Sequence, residues 1–281
     1  MLVSGKEAKT TKICSMRAKD GQVKSEMSDI ANVFADCYAD LYSATEYSRN
    51  IFKASGKTEV HEVTEVEITQ ALKRMKNGKT SDGNFVVVEM LKSAGHELRE
   101  LIASMFTEIM RPQAQVPEAW RKTVVKVLFK KGDELAPGNY RPISILPILY
   151  KLFARIICSR ITKVLEEHQS CDQAGFRSGF SVEDHLLTIS ILAEMQLEAD
   201  QPLWISALDF QTAFDSITHE SLWDALWEQE VHENYIETLS RLYAGQTGVV
   251  NTGIDSKTFK ISKGTRQGDP VSPVLFNAVS E

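Results

Sequence analysis

Residues 203–215 read Leu203-Trp204-Ile205-Ser206-Ala207-Leu208-Asp209-Phe210-Gln211-Thr212-Ala213-Phe214-Asp215. The apolar run that opens this stretch predicts a strand with Asp209 at its end. Further along, the chain reads Gly264-Thr265-Arg266-Gln267-Gly268-Asp269-Pro270-Val271-Ser272-Pro273, which its glycines and prolines mark as a loop. The apolar residues after this loop predict the start of a helix. We therefore expect a strand that ends in a carboxylate to lie beside a Gln-Gly loop.

A carboxylate at the end of a rigid strand suits a site that holds a metal-bound triphosphate, because magnesium-type cations prefer oxygen ligands. The structural alternative is that Asp209 only ends a strand or begins a turn. Asp215 is expected to cap the helix that follows it.

The length of 281 residues and a hydrophobic fraction of 43% suffice for a core of ordinary size in about two domains. No apolar run approaches the ~18 residues of a membrane span, and the N-terminus lacks the apolar core of a signal peptide. We expect a soluble, intracellular protein that is not secreted and binds no membrane. The four cysteines are scattered, which indicates neither a zinc site nor a disulfide framework.

The formal net charge of −6 hides a segregation of charge. Residues 121–163 hold ten Lys or Arg against two acidic residues, whereas residues 181–240 hold thirteen Asp or Glu and no Lys or Arg. The basic stretch suits phosphate and the acidic stretch suits divalent cations. The alternative for most of these charges is a solvated helix face.

Helices and strands alternate without a repeat, which predicts an α+β or mixed α/β fold. A basic-tipped β-hairpin is expected from strands at Val124–Phe129 and Ile143–Ile145, with further short strands at Gly248–Asn251 and Lys257–Ile261. Capping boxes begin helices after Thr64 and Ser181. The polar segment before residue 26 is expected to be loosely ordered, and Thr80-Ser81-Asp82-Gly83 to form a turn. Apolar periodicity predicts the other helices, at about residues 26–43, 147–165, 219–228 and 233–243, with shorter helical stretches up to Met110.

Several motifs in order resemble the reverse transcriptase of non-long-terminal-repeat (LINE-type) retrotransposons. The resemblance covers Val66 to Glu281. Besides the two stretches quoted above, its motifs are Trp120, Lys130-Lys131-Gly132-Asp133, Asn139-Tyr140-Arg141-Pro142-Ile143-Ser144, Tyr150-Lys151-Leu152-Phe153, Gln173-Ala174-Gly175-Phe176-Arg177 and His219-Glu220-Ser221-Leu222-Trp223.

The resemblance implies a right-hand polymerase, with an N-terminal helical extension at residues 1–63, a fingers-like region at 64–180 and a partial palm at 181–281. It implies an RNA template, a DNA primer and dNTP substrates, joined by nucleotidyl transfer with two Mg²⁺ ions. Asp209 would be catalytic and would bind metal together with the Phe210 carbonyl.

For the substrate, the resemblance assigns Arg141 and Lys130 or Lys131 to the triphosphate, and Gln267 and Gly268 to the nucleotide or the template. Phe214 resembles the steric gate that excludes a ribose hydroxyl. The structural alternatives are a core phenylalanine at 214 and surface cations at 130, 131 and 141.

The chain departs from this family where an aromatic-Ala-Asp-Asp tetrad is expected beyond the Ser-Pro, because it ends at Glu281. We therefore expect an incomplete palm sheet, no thumb and no activity of the isolated chain. Thr80-Ser81-Asp82-Gly83 also replaces the family's usual Pro-Gly-Pro-Asp-Gly. Two alternatives remain: an RNA-templated RNA polymerase that shares the palm, and a non-catalytic RNA-binding or scaffold fragment.

Overall fold

The computed structural model describes residues 13–45, 47, 49, 51–55, 59–79 and 86–281. Within these ranges the fold is mixed α/β, as predicted, with eleven α-helices and six strands. The helices are α1 Met27–Leu41, α2 Glu65–Arg74, α3 Val88–Lys92, α4 His96–Met110, α5 Glu118–Arg121, α6 Ile148–His168, α7 Val182–Glu198, α8 Ala213–Ser216, α9 His219–Glu228, α10 Glu233–Tyr243 and α11 Ser272–Ser280. The strands are β1 Met16–Arg17, β2 Val23–Lys24, β3 Lys122–Phe129, β4 Tyr140–Ile145, β5 Thr247–Val250 and β6 Phe259–Lys260. The predicted turn at Thr80–Gly83 lies outside the described residues.

The larger sheet has the strand order β4-β3-β5-β6. β3 and β4 form the predicted antiparallel hairpin, in a register that pairs Val124 with Ile145 and Phe129 with Tyr140. β5 runs parallel to β3 on its other edge and pairs antiparallel with β6. β3 is therefore the strand that joins the hairpin to the later part of the chain.

One face of this sheet is covered by α1. Its apolar residues Phe34 and Tyr38 pack with Tyr140 and Phe259 from the sheet, in a core of their own. The ring centroids of Phe34 and Tyr140 lie 5.1 Å apart in an edge-on arrangement. The apolar side of the amphipathic helix predicted at residues 26–43 is thus the face of α1 that packs against the hairpin.

The segment before α1 corrects the expectation of loose order for residues 13–25. β1 and β2 pair as a small hairpin, and the Arg17 amide donates to the Leu135 carbonyl at 2.9 Å. Met16 is fully buried in the α1 core. Burial of its apolar side chain stabilises the packing of this segment against α1.

The larger core lies among helices α2, α4, α6, α9, α10 and α11. α6 runs through it, and the rings of Tyr150 and Phe153 pack against Trp120 at centroid distances of 5.7 and 5.3 Å. Phe106 of α4 meets Phe153 at 5.0 Å. This core combines side chains from Phe52 to Ala278 and fixes the loop before α11 against α6.

The predicted strand at Leu203–Leu208 is wrong. Residues 201–210 form neither a helix nor a strand, and Trp204 and Leu208 are 90% and 86% exposed. A strand requires a neighbour to complete its ladder of backbone hydrogen bonds, and no described strand pairs with this segment. An apolar run indicates a tendency to form a strand but does not supply its partner.

α7, which precedes this segment, begins with the predicted capping box, in which Ser181 and Asp184 exchange hydrogen bonds. None of its described residues is buried, although Leu187, Ile191 and Met195 succeed one another at helical spacing. A helix that is apolar on all sides normally lies in a core. α7 therefore presents an exposed apolar surface, and several apolar side chains of residues 203–210 are exposed as well. In the described part of the chain, no helix combines the length and apolarity that crossing a bilayer requires.

Candidate active site

A cleft of about 650 Å³ opens between α1, the β3–β4 hairpin, the segment 209–215 and the loop 264–273. Seven of the eight residues singled out from the sequence line it, although they come from three distant stretches of the chain. They are Lys130, Arg141, Asp209, Phe210, Phe214, Gln267 and Gly268. Lys131 is not among the lining residues.

The hairpin places the basic side chains at one side of the cleft. Arg141 lies at the start of β4, opposite Leu128 of β3, and is exposed. The Lys130 amide donates to the Asn139 carbonyl at 2.9 Å, which closes the hairpin loop. Arg141 and Lys130 therefore project from a rigid ladder.

The Gln-Gly loop is held against that hairpin by its backbone. The Ser144 amide donates to the Gln267 carbonyl at 2.9 Å. Gly268 has φ of +104°, and a Cβ there would lie 3.3 Å from the Ser144 carbonyl oxygen. Glycine is required at 268 both by this conformation and by the close approach of β4.

The same loop is also fastened to the segment that carries Asp215. The Thr265 amide donates to the Phe214 carbonyl at 2.8 Å, and the Gly264 amide donates to the Ile217 carbonyl at 2.7 Å. His219 meets the Gly264 carbonyl through Nε2 at 3.1 Å. Burial lowers the pKa of His219, and the contact with this carbonyl opposes that effect. The two motifs of the sequence are thus one structural unit.

Asp215 does not cap the following helix, contrary to the sequence prediction. Thr218 caps α9 by accepting from the Ser221 amide at 3.2 Å. The carboxylate of Asp215 is instead buried at the cleft, where it accepts from the Tyr42 hydroxyl at 2.8 Å and from Gln267 Nε2 at 2.9 Å. Burial raises the pKa of Asp215, against the effect of these two donors. The short α8 turns its side chain inward before α9 begins.

Tyr42 is a residue of the site that sequence reasoning missed. It follows the last residue of α1 and is 5% exposed. Tyr42 itself is not among the lining residues of the cleft, but three residues of α1 are: Cys37, Tyr38 and Leu41. The apolar periodicity of α1 predicts which face is buried but contains no signal for a hydrogen bond to a residue so distant in sequence.

A buried cluster of charged residues holds the loop in place, and sequence reasoning missed this cluster too. Arg266 is 3% exposed, and its guanidinium lies 5.0 Å from the Tyr150 ring centroid and 5.7 Å from that of Tyr243. The carboxylate of Asp269 accepts from the Tyr150 hydroxyl and, at 3.1 Å, from the Val271 amide. Burial raises the pKa of Asp269, while the charge of Arg266 lowers it. The cluster anchors both ends of the Gln267-Gly268 turn to α6 and α10.

Phe214 stands between two other aromatic rings. It stacks on Phe276 of α11 at a centroid distance of 4.5 Å and meets Phe176 edge-on at 5.7 Å. Phe214 is half-buried and still lines the cleft. Its ring therefore packs against the two neighbouring rings and also forms part of the wall of the cleft, where a ligand could contact it.

The acidic residues of the cleft differ in what they offer a metal ion. Asp209 is exposed, whereas Asp215 and Asp269 are buried and already accept hydrogen bonds. Among the described residues, no three His, Cys, Asp or Glu side chains come together in a way that could hold a metal. The described donor set therefore does not by itself fit a pair of magnesium ions.

A protein-family model and several individual relatives match this chain, and they point to the same class of protein. Residues 129–281 match the family described as reverse transcriptase (RNA-dependent DNA polymerase). The chain is 30% identical over 180 residues to the retrovirus-related Pol polyprotein from type-1 retrotransposable element R2 of Popillia japonica, covering 62% of this chain and 24% of the relative. It is 29% identical over 238 residues to the R2 polyprotein of Nasonia vitripennis, covering 83% of this chain and 21% of the relative. With the R1 polyprotein of Bradysia coprophila it shares 24% identity over 283 residues, covering 96% and 27%. The chain thus spans about a quarter of the length of these relatives.

Proposed function

The chain belongs to the reverse transcriptase family of non-long-terminal-repeat retrotransposons, and on that premise we propose that its cleft is the nucleotide site of an RNA-directed DNA polymerase. The observation that carries the proposal is the convergence of the hairpin, the Asp209 segment and the Gln-Gly loop on one cleft. Residues 64–180 would serve as fingers and residues 181–281 as part of a palm. The partners would be an RNA template and a DNA primer.

The triphosphate would bind on the hairpin side of the cleft. The guanidinium of Arg141 can donate two hydrogen bonds to phosphate oxygens, and Lys130 adds a point charge beside it. Arg141 lies on β4 and Lys130 directly follows β3, so the paired strands limit how far a bound phosphate group could move. Lys131 would contribute only through its charge, since it lies outside the lining of the cleft.

Phe214 would select the sugar. Its ring is held between Phe176 and Phe276, so it cannot yield to a ribose 2′-hydroxyl without moving two other rings. A packed wall of this kind discriminates by crowding. Deoxynucleotides are the substrates that fit it.

Gln267 would contact the base pair from the other side. Its Nε2 is committed to Asp215, which leaves its Oε1 to accept a hydrogen bond. Gly268 keeps the loop close to β4, and no side chain at 268 limits the approach of a nucleotide. Asp215 and Tyr42 therefore fix the orientation of the amide.

Asp209 and the Phe210 carbonyl would be the ligands that this chain contributes to the metal ions. Bound Mg²⁺ ions would supply the charge that activates a primer hydroxyl and neutralises a leaving pyrophosphate. Because the other two carboxylates of the cleft are already engaged, we propose that residues 1–281 alone do not polymerise.

Two measurements test this function. Calorimetric titration with dTTP and Mg²⁺ should detect binding that weakens at least tenfold in Arg141→Ala and less in Lys131→Ala. Wild-type affinity in Arg141→Ala would exclude the proposed site. Primer extension on an RNA template should give no product with wild-type residues 1–281, and incorporation would overturn the proposed inactivity.

A second candidate function is RNA binding without catalysis, favoured by the single exposed carboxylate among the cleft's three Asp residues and by the basic hairpin. In that case RNA binding would fall steeply with salt and would weaken when Lys130, Lys131 and Arg141 are neutralised. Asp209→Ala would leave both nucleotide and RNA binding unchanged. Loss of Mg²⁺-dependent dTTP binding in Asp209→Ala would favour the polymerase site instead.

A further inference from the structure

We propose that a second, basic groove, between α2 and α6, binds the phosphate backbone of a single RNA strand. The groove has a volume of about 280 Å³ and is lined by Arg74 from the end of α2 and by Arg155 and Lys163 from α6. The choice of RNA as the ligand rests on the proposed function. The groove itself is separate from the nucleotide cleft and shares none of its lining residues.

The three cations are available for an external anion. Arg74 and Lys163 are exposed and Arg155 is half-buried. Within the described ranges, none of the three has a carboxylate within salt-bridge distance, unlike Lys122, Lys257 and several other surface cations. Three like charges without partners on one groove are unfavourable unless a ligand neutralises them.

The acidic residue among the described groove-lining residues, Glu67, does not cancel this charge. Its carboxylate receives two hydrogen bonds from Arg160, from Nε at 2.7 Å and from a terminal nitrogen at 2.8 Å. The same guanidinium also donates to the carbonyls of His61 and Glu62 at 2.9 and 2.7 Å. Glu67 is thus neutralised by a cation outside the groove lining, and the groove keeps an excess of positive charge.

The spacing of the cations suits a strand better than a small anion. Arg155 and Lys163 lie about 12 Å apart along α6, at about 1.5 Å per residue. Ser159 lies between them and provides a hydroxyl donor, whereas the Thr162 hydroxyl donates to the Cys158 carbonyl at 2.7 Å. Side chains that start this far apart on the helix can contact different phosphates of one backbone.

The groove also leads to the cleft. Pro270 lines the groove, and its neighbours Gln267, Gly268 and Asp269 line the nucleotide cleft. The loop is anchored between the two by Arg266 and Tyr150, so its position is fixed from both sides. A strand lying in the groove would therefore reach the Gln-Gly loop as it leaves.

The test is the salt dependence of binding to a fluorescein-labelled single-stranded RNA of about twenty nucleotides. Each phosphate contact contributes about 0.7 to the slope of log K against log salt, so Arg74→Gln/Arg155→Gln/Lys163→Gln should reduce the slope by about 2. A matched triple variant on the sheet side, Lys24→Gln/Lys122→Gln/Lys260→Gln, should leave the slope near that of the wild type. The double variant Arg74→Gln/Lys163→Gln alters exposed positions only and should reduce the slope by about 1.4.

A measurement on the unaltered chain gives an independent readout. Bound RNA should protect Lys163 from acetylation, read by mass spectrometry, and should not protect Lys260. An unchanged slope in both groove variants, or equal acetylation of Lys163 with and without RNA, would overturn the proposal that the groove binds RNA. If the wild-type chain binds no RNA at all, the proposed function fails with it. If the wild-type chain binds RNA and the groove variants bind it with the same salt dependence, only the groove proposal fails and the proposed function stands.

Discussion

The hydroxyl of Tyr42 donates a 2.8 Å hydrogen bond to the buried carboxylate of Asp215, and this contact joins α1 to the centre of the candidate active site. The second oxygen of the same carboxylate orients the Gln267 amide. α1, which lies outside the family match, is therefore part of the site rather than an appendage.

Tyr42→Phe should destabilise the chain by about 2 kcal/mol, because the buried carboxylate loses one of its two donors. Tyr38→Phe is the matched control, since its hydroxyl donates to a neutral carbonyl, that of Tyr140, at 3.3 Å. The control should cost about 1 kcal/mol. Urea denaturation measures both, and equal losses would mean that Asp215 gains nothing special from Tyr42.

Gly268→Ala should be more costly than Gly179→Ala. Both glycines have positive φ, +104° and +86°, so each alanine incurs backbone strain of about 1–2 kcal/mol. Only at 268 would the new Cβ also crowd a backbone oxygen, at 3.3 Å, whereas nothing lies within 4 Å at 179. Denaturation midpoints give the comparison, and equal costs would contradict the close approach of β4.

The burial of His219 predicts a dependence of stability on pH. Its folded pKa is lowered, so as the pH falls through about 6.5 the unfolded chain takes up the proton first. The free energy of unfolding should therefore decrease between pH 7 and 5.5 by more in wild type than in His219→Gln, whose amide can still donate to Gly264. Thermal melts across this range test it, and parallel curves would refute it.

The exposed apolar surface of α7 predicts self-association and binding of a hydrophobic dye. Leu187→Gln/Ile191→Gln should reduce both. The control Leu98→Gln/Leu101→Gln alters apolar residues of α4 that are also exposed, at 43% and 65%, but do not belong to this surface. Sedimentation velocity and dye fluorescence report the outcome. A monomer that binds no dye would show that α7 is covered in solution.

The elements that the sequence predicted well are those determined by near neighbours. The capping boxes at Thr64 and Ser181 act over three residues, and α9 and α10 occur over the predicted residues. The Leu203–Leu208 strand failed because its formation depends on a partner strand rather than on its own apolar residues. The parallel pairing of β5 with β3 could not be predicted, because nothing in the sequence of either strand indicates its partner.

The candidate site shows the same division. The motifs identified which stretches would matter, and the cleft brings together Arg141, Asp209 and Gln267. The hydrogen bonds inside the cleft could not be predicted from the sequence, because Tyr42 and Asp215 are 173 residues apart. The inward turn of Asp215 was also missed, since an acidic residue shortly before a helix usually indicates a cap.

The position of β3 has a consequence for how the chain can be divided. The family match begins at residue 129, the last residue of β3, yet β3 lies between β4 and β5 and hydrogen-bonds to both. A piece excised at that point would leave two strands with open edges and no shared neighbour. The residues that the family model matches are thus fewer than those that complete the sheet, because the strand between β4 and β5 lies almost entirely before residue 129.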